Sequence, residues 1–170
     1  MTRQSFVASA TFPPHRLARL AAVAVGVGLA LAALSTVAHA PDWGLLARQP
    51  FVIQLHIAAA LAALLLGTVQ LVGIKGTGLH RLIGWSWVVA MVTVAFSSLF
   101  IRQINPGSFS LIHLLSGWTL VALPMALFAI RRGRVASHAR GMTWTFVGGL
   151  IVAGAFTFLP GRLMWEVFFG

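Results

Sequence analysis

Hydrophobic positions along the chain gather into five long runs separated by short polar or glycine-containing breaks. They cover 20–38, then about Phe51 to Ile74, Leu79 to Ile101, Phe109 to Ile130 and Ser137 to Leu159. Each run is near the roughly 20 residues that a helix needs to cross the hydrocarbon of a bilayer. The pattern predicts five transmembrane helices, spans 1 to 5. Asn105-Pro106-Gly107 predicts a turn between spans 3 and 4, Pro124 a kink in span 4, and Pro160-Gly161 the end of span 5. Span 1 ends in Ala38-His39-Ala40, which resembles a signal-peptidase site. The run is longer than a usual signal core and Pro41 follows, so it is read as a retained anchor.

Inside these runs the polar exceptions repeat. The hairpin Phe51 to Trp85 carries His56 just inside one run and His80 at the opening of the next. The stretch Phe109 to Trp144 does the same with His113 and His138. The spacings are 24 and 25 residues. His80 is followed by Arg81, Gly84 and Trp85, and His138 by Arg140, Gly141 and Trp144. Spans 2 to 5 therefore read as two copies of a helical hairpin with one histidine per helix. Span 1 stands outside the repeat.

Composition strengthens the membrane reading. The 170 residues are 59% hydrophobic and 8% charged, against roughly a quarter charged in a soluble domain. With no cysteine, disulfides, thiolate nucleophiles and iron–sulfur centres are excluded. The net charge of +10 does not point to nucleic acid, because the basic residues sit between the apolar runs, where topology signals lie. Arg3, Arg16, Arg19, Lys75, Arg81, Arg131, Arg132, Arg134 and Arg140 fall on one side, and Arg48, Arg102 and Arg162 on the other. This asymmetry predicts a bacterial inner (cytoplasmic) membrane protein with its N-terminus in the cytoplasm and its C-terminus in the periplasm.

The expected fold class is all-α: a polytopic membrane protein of five transmembrane helices. Its organisation is a cytoplasmic segment 1–19, a peripheral transmembrane helix 20–40, a four-helix bundle 51–159 and an outer interfacial tail 160–170. Met164, Trp165, Phe168 and Phe169 place that tail at the lipid–water boundary.

In this topology His56 and His113 lie near the outer face, and His80 and His138 near the inner face. Each pair comes from alternate helices, and bundle interiors hold cofactors between facing helices. Ionisable residues in spans are costly, which makes all four functional candidates. Zinc usually takes three or four protein ligands. Each face offers two histidines, and Asp42 and Glu166 are the only acids in the chain. Haem needs two axial ligands and its porphyrin supplies the rest, so two haem b groups fit the count best. Some 16 residues separate the two levels, or about 24 Å at 1.5 Å per residue.

Gly84, Gly117 and Gly141 stand three or four residues after a histidine and could open gaps for a macrocycle. Taken one by one, such glycines are better explained by ordinary helix packing. Lys75, Arg81 and Arg140 are inner candidates for haem propionates and Arg102 the nearest outer one; as topology charges they need no ligand. Trp85, Trp87, Trp118 and Trp144 read as porphyrin neighbours or interfacial anchors. No phosphate loop, Ser-His-Asp set or HExxH motif is present.

His56 early in span 2, Lys75 with His80 after the turn, Ser110-Leu111-Ile112-His113 opening span 4, and His138 followed by Gly141 resemble the ascorbate-reducible two-haem b-type cytochromes, a family that includes transmembrane ferric reductases. The resemblance covers about Phe51 to Leu159. It implies His56 with His113 on an outer haem and His80 with His138 on an inner one. The chain departs from that family in having five expected spans rather than six. The His-Arg opening of a helix and the late His also resemble small bacterial predicted membrane proteins of unassigned function.

Two functions are expected from these features. The first is transmembrane electron transfer, a cytochrome b-type oxidoreductase activity, from a cytoplasmic small donor or a quinol to an outer acceptor. The second is a cofactor-free accessory or anchor subunit of a larger membrane complex. The lipid bilayer is a partner in both, and a redox protein or larger complex is a possible further one.

Overall fold

The computed structural model describes residues 40–101 and 111–170. Residues 42–168 belong to one compact unit, and the features below lie in it. The cytoplasmic segment 1–19, span 1, His15, His39, Arg102 and the Asn105-Pro106-Gly107 turn lie outside the described residues.

Among the described residues every element is helical. The order is α1 (Trp43–Ala47), α2 (Phe51–Val72), α3 (Gly78–Ser98), α4 (Leu111–Arg131), α5 (Val135–Phe146), a π-helical segment (Val147–Val152), α6 (Ala153–Phe156) and α7 (Leu163–Phe169). Three helices are long and apolar enough to cross a membrane: Phe51–Val72, Gly78–Ser98 and Ile112–Arg131. Only 22% to 33% of each is buried, so most of their apolar surface faces outward, as lipid-facing helices require. The fifth expected span differs from a single α-helix. It runs from α5 through the π segment into α6, and the π turns coincide with Gly148-Gly149.

Helix ends follow local chemistry. Thr77 caps α3, its hydroxyl accepting the His80 N–H at 3.1 Å. Lys75 Nζ donates to the carbonyls of Gln70, Leu71 and Gly73 at 2.7–2.8 Å, satisfying the open end of α2. Gly76 and Gly133 have φ of 80° and 72°, a region that disfavours side chains. At Gly133 the Arg134 N–H closes back on the Ala129 carbonyl at 2.9 Å, the wide hydrogen bond of a Schellman turn.

The core draws on five segments: Ala63 of α2, Trp87, Val88 and Met91 of α3, Leu123 of α4, Phe146 of α5 and Leu150 of the π segment. The tail packs against the start of the bundle. Val167 of α7 is fully buried and its carbonyl accepts the Asp42 N–H at 2.9 Å, while Phe168 meets Trp43 edge-on.

Candidate functional site

The helices α2 and α3 run antiparallel, so His56 near the start of α2 meets Ser97 near the end of α3. His56 Nδ1 and Ser97 Oγ are 2.9 Å apart. Ser97 Oγ also lies 2.6 Å from the Thr93 carbonyl and 3.1 Å from that of Val94. A hydroxyl has one proton, and here it goes to a backbone carbonyl. Ser97 therefore accepts from His56 Nδ1–H, which leaves the lone pair on Nε2.

That ring borders a cavity of about 240 Å³. Segments α2, α3, α4, α6 and the π turns all contribute to its wall, with Met164 of α7. Its polar lining is His56 and the hydroxyls of Ser98, Ser116, Thr119 and Thr157. Gly149 makes the π segment's close approach possible: a Cβ there would stand 3.2 Å from Met91 Cε and 3.4 Å from Thr119 Oγ1. Ser98 and Ser116 hydrogen-bond to each other and tie α3 to α4. His113 is buried at 6% exposure, but the residues of α4 that line the cavity are its neighbours Ile112, Leu115, Ser116 and Thr119.

The opposite end of the helices carries the basic turns. There His138 Nδ1 lies 3.0 Å from the Ala126 carbonyl. A carbonyl only accepts, so His138 Nδ1 carries the proton of this bond and Nε2 lies outside it. His80 lies in the first turn of α3, at this same end. Its Nδ1 is buried with no hydrogen-bond partner among the described residues.

The three candidate glycines differ. At Gly84 a Cβ would come within 2.8 Å of Gln70 Nε2, so a side chain of α2 fills the space expected for a macrocycle. The same Gln70 nitrogen donates to the His80 carbonyl at 2.6 Å. At Gly141 a Cβ would stand 3.0 Å from Ala126 Cβ, so this glycine brings α5 onto α4 where His138 meets the Ala126 carbonyl. Gly117 has no heavy atom near its Cβ position.

Arg81 and Arg140 are exposed, whereas the Lys75 ammonium is engaged with α2. Trp85, Trp118 and Trp144 face outward, and Trp87 is in the core. Among the described residues no three of His, Cys, Asp and Glu gather around one point. The arrangement offers imidazoles whose Nδ1 is held by a protein acceptor, as at His56 and His138, suited to sharing a metal whose other ligands come from elsewhere or to accepting a proton.

Sequence reasoning missed Ser97, Gln70 and the Ala126 carbonyl. Ser97 lies 41 residues from His56, and no local spacing links the two. The Gly148-Gly149 pair was the one visible signal of the altered fifth span.

Residues 53–169 match the family described as "Predicted membrane protein (DUF2306)", which covers more than half of the chain. No curated protein and no solved structure matches it.

Proposed function

The chain belongs to that family of predicted membrane proteins, and we propose, from its own histidines, that it is a transmembrane electron carrier holding two b-type haems. His56 and His113 hold one haem, and His80 and His138 the other. The observation that carries this reading is the shared state of His56 and His138. Each donates its Nδ1 proton to a protein acceptor and has Nε2 outside that bond, the arrangement that orients metal-ligating histidines.

Two other features fit the group. The cavity beside His56 is bordered by most of the helices, and the Nδ1 of His80 is buried with no hydrogen-bond partner among the described residues. Bound haem would supply a one-electron carrier, held by these histidines. The chain's own part is to orient the imidazoles, exclude water and offer exposed Arg81 and Arg140 to propionates. Arg102 is assigned that role at the outer haem. A cytoplasmic donor or a quinol supplies the electrons, and an outer acceptor takes them.

The packing at Gly84 and Gly141 favours the second reading, an accessory subunit whose histidines serve only to join helices. An absorption spectrum of the purified protein, made with ample haem, separates the two. The haem reading expects a Soret band that shifts on chemical reduction. A colourless protein leaves the accessory reading.

The carrier is placed in a bacterial inner membrane with five spans, the N-terminus inside and spans 2 to 5 forming the haem-binding bundle. A periplasmic reporter fused after Gly170 is expected to be active, and activity from a cytoplasmic reporter there would reverse the orientation.

A further inference from the structure

Gln70 lies in the last turn of α2, ten residues before His80. Its side chain turns across to α3, where Nε2 donates to the His80 carbonyl at 2.6 Å. Within α3 that same carbonyl accepts the Gly84 N–H one turn on, and an oxygen with two lone pairs takes both. The cross-helix bond needs the glycine. A Cβ at position 84 would stand 2.8 Å from Gln70 Nε2, and the other atom near that point is Gln70 Cδ at 4.0 Å. The space that Gly84 leaves is filled by the group that grips His80.

His56 and His138 are each oriented at Nδ1, by Ser97 and by the Ala126 carbonyl. His80 Nδ1 has no such partner among the described residues, so its ring is aimed by the main chain beneath it. That main chain is tied on both sides of the residue: the His80 N–H to the Thr77 hydroxyl at 3.1 Å, and the carbonyl to Gln70. Lys75 secures Gln70 in turn, its Nζ donating to the Gln70 carbonyl at 2.7 Å. At the other inner histidine, Gly141 brings α5 onto α4 where the Ala126 carbonyl reaches the ring. The glycine about one turn after each inner histidine serves one end, through the main chain at His80 and through the ring at His138. We propose that Gln70, admitted by Gly84, is a positioning residue of the inner site: it fixes the His80 main chain, and so the aim of the imidazole as an iron ligand. This rests on the haem reading above.

The test uses the full-length chain loaded with haem. The spectral component lost in H138A marks the inner haem, and the one lost in H56A marks the outer. Gln70→Met keeps the length of the side chain but has no N–H. It is expected to weaken inner haem binding about tenfold or more, the usual effect of removing an outer-shell partner, and to shift that haem's midpoint potential. The outer haem of the same chain should keep its affinity and potential, whereas a general loss of stability would weaken both. Gly84→Ala should act like Q70M, because its Cβ displaces the Gln70 amide. In a Gln70→Ala background, Gly84→Ala should add nothing, since Gln70 is what that Cβ meets. An unchanged inner haem in Q70M, equal weakening of both haems, or additive effects of Q70A and G84A would each overturn the role of Gln70 and leave the haem reading standing. A colourless wild-type protein would overturn the haem reading itself, and the role of Gln70 with it.

Discussion

Replacing His138 by Ala is expected to remove one of two haems and to stop electrons crossing the membrane. His138 is held by one hydrogen bond to the Ala126 carbonyl, and losing that bond costs about 1 kcal/mol. The fold should survive, and circular dichroism would check it. An axial ligand has no substitute at that position, because among the described residues no further His, Cys, Asp or Glu joins the pair. The reduced-minus-oxidised difference spectrum should therefore fall to about half, as expected when one of two equivalent haem sites loses an axial ligand. Replacing His56 or His113 should remove the other half. Either loss should abolish reduction of an impermeant acceptor across sealed vesicles, since the proposal puts the two haems in series. Ser97→Ala should act more gently. It keeps His56 but frees its Nδ1 proton, so haem affinity should drop by roughly 10- to 100-fold, the usual effect of losing an outer-shell partner. If H138A and H56A both keep the full spectrum, neither histidine binds iron.

The largest expected effect on stability comes from Gly67. It is buried in α2, and a Cβ there would stand 2.4 Å from two atoms of the Phe146 ring and 2.6 Å from Trp87 Nε1. Both rings are core members at 7% and 3% exposure, with little room to turn aside. Overpacking of this kind costs about 1–3 kcal/mol. The helical preference of alanine over glycine returns at most about 1 kcal/mol. Gly67→Ala should thus lower the melting temperature in detergent, and Gly67→Leu should prevent α2 from seating against α3 and α5. Gly78→Ala is the control, because no heavy atom stands within 4 Å of its Cβ position. Equal melting temperatures for G67A and G78A would show that the rings yield without cost.

Much of this architecture is legible without a structure. A run of apolar residues about as long as the bilayer is thick must satisfy its backbone internally, and a helix does so. Hence the starts and ends of α2, α3 and α4 fall within a few residues of the runs that predict them. The levels of the four histidines follow from their distance to each helix end. The grouping of the basic residues follows from the alternation of helix direction.

What only the tertiary structure decided is which side chains meet across helices. A helix that is apolar on every side does not announce in its sequence which side faces its neighbours. Gly84 shows this: its position four residues after His80 suggested an open gap, and Gln70 of the preceding helix fills it. Gly141 likewise serves the contact of α5 with Ala126. The proton on His56 is set by Ser97, far away in the chain and adjacent only once α2 and α3 lie antiparallel. Trp87 turned inward and the other three membrane tryptophans outward, although all four share the same local surroundings of apolar and small residues. Local sequence determines helices because their hydrogen bonds are local; contacts between helices depend on the simultaneous fit of several surfaces, and no single stretch of chain contains that information.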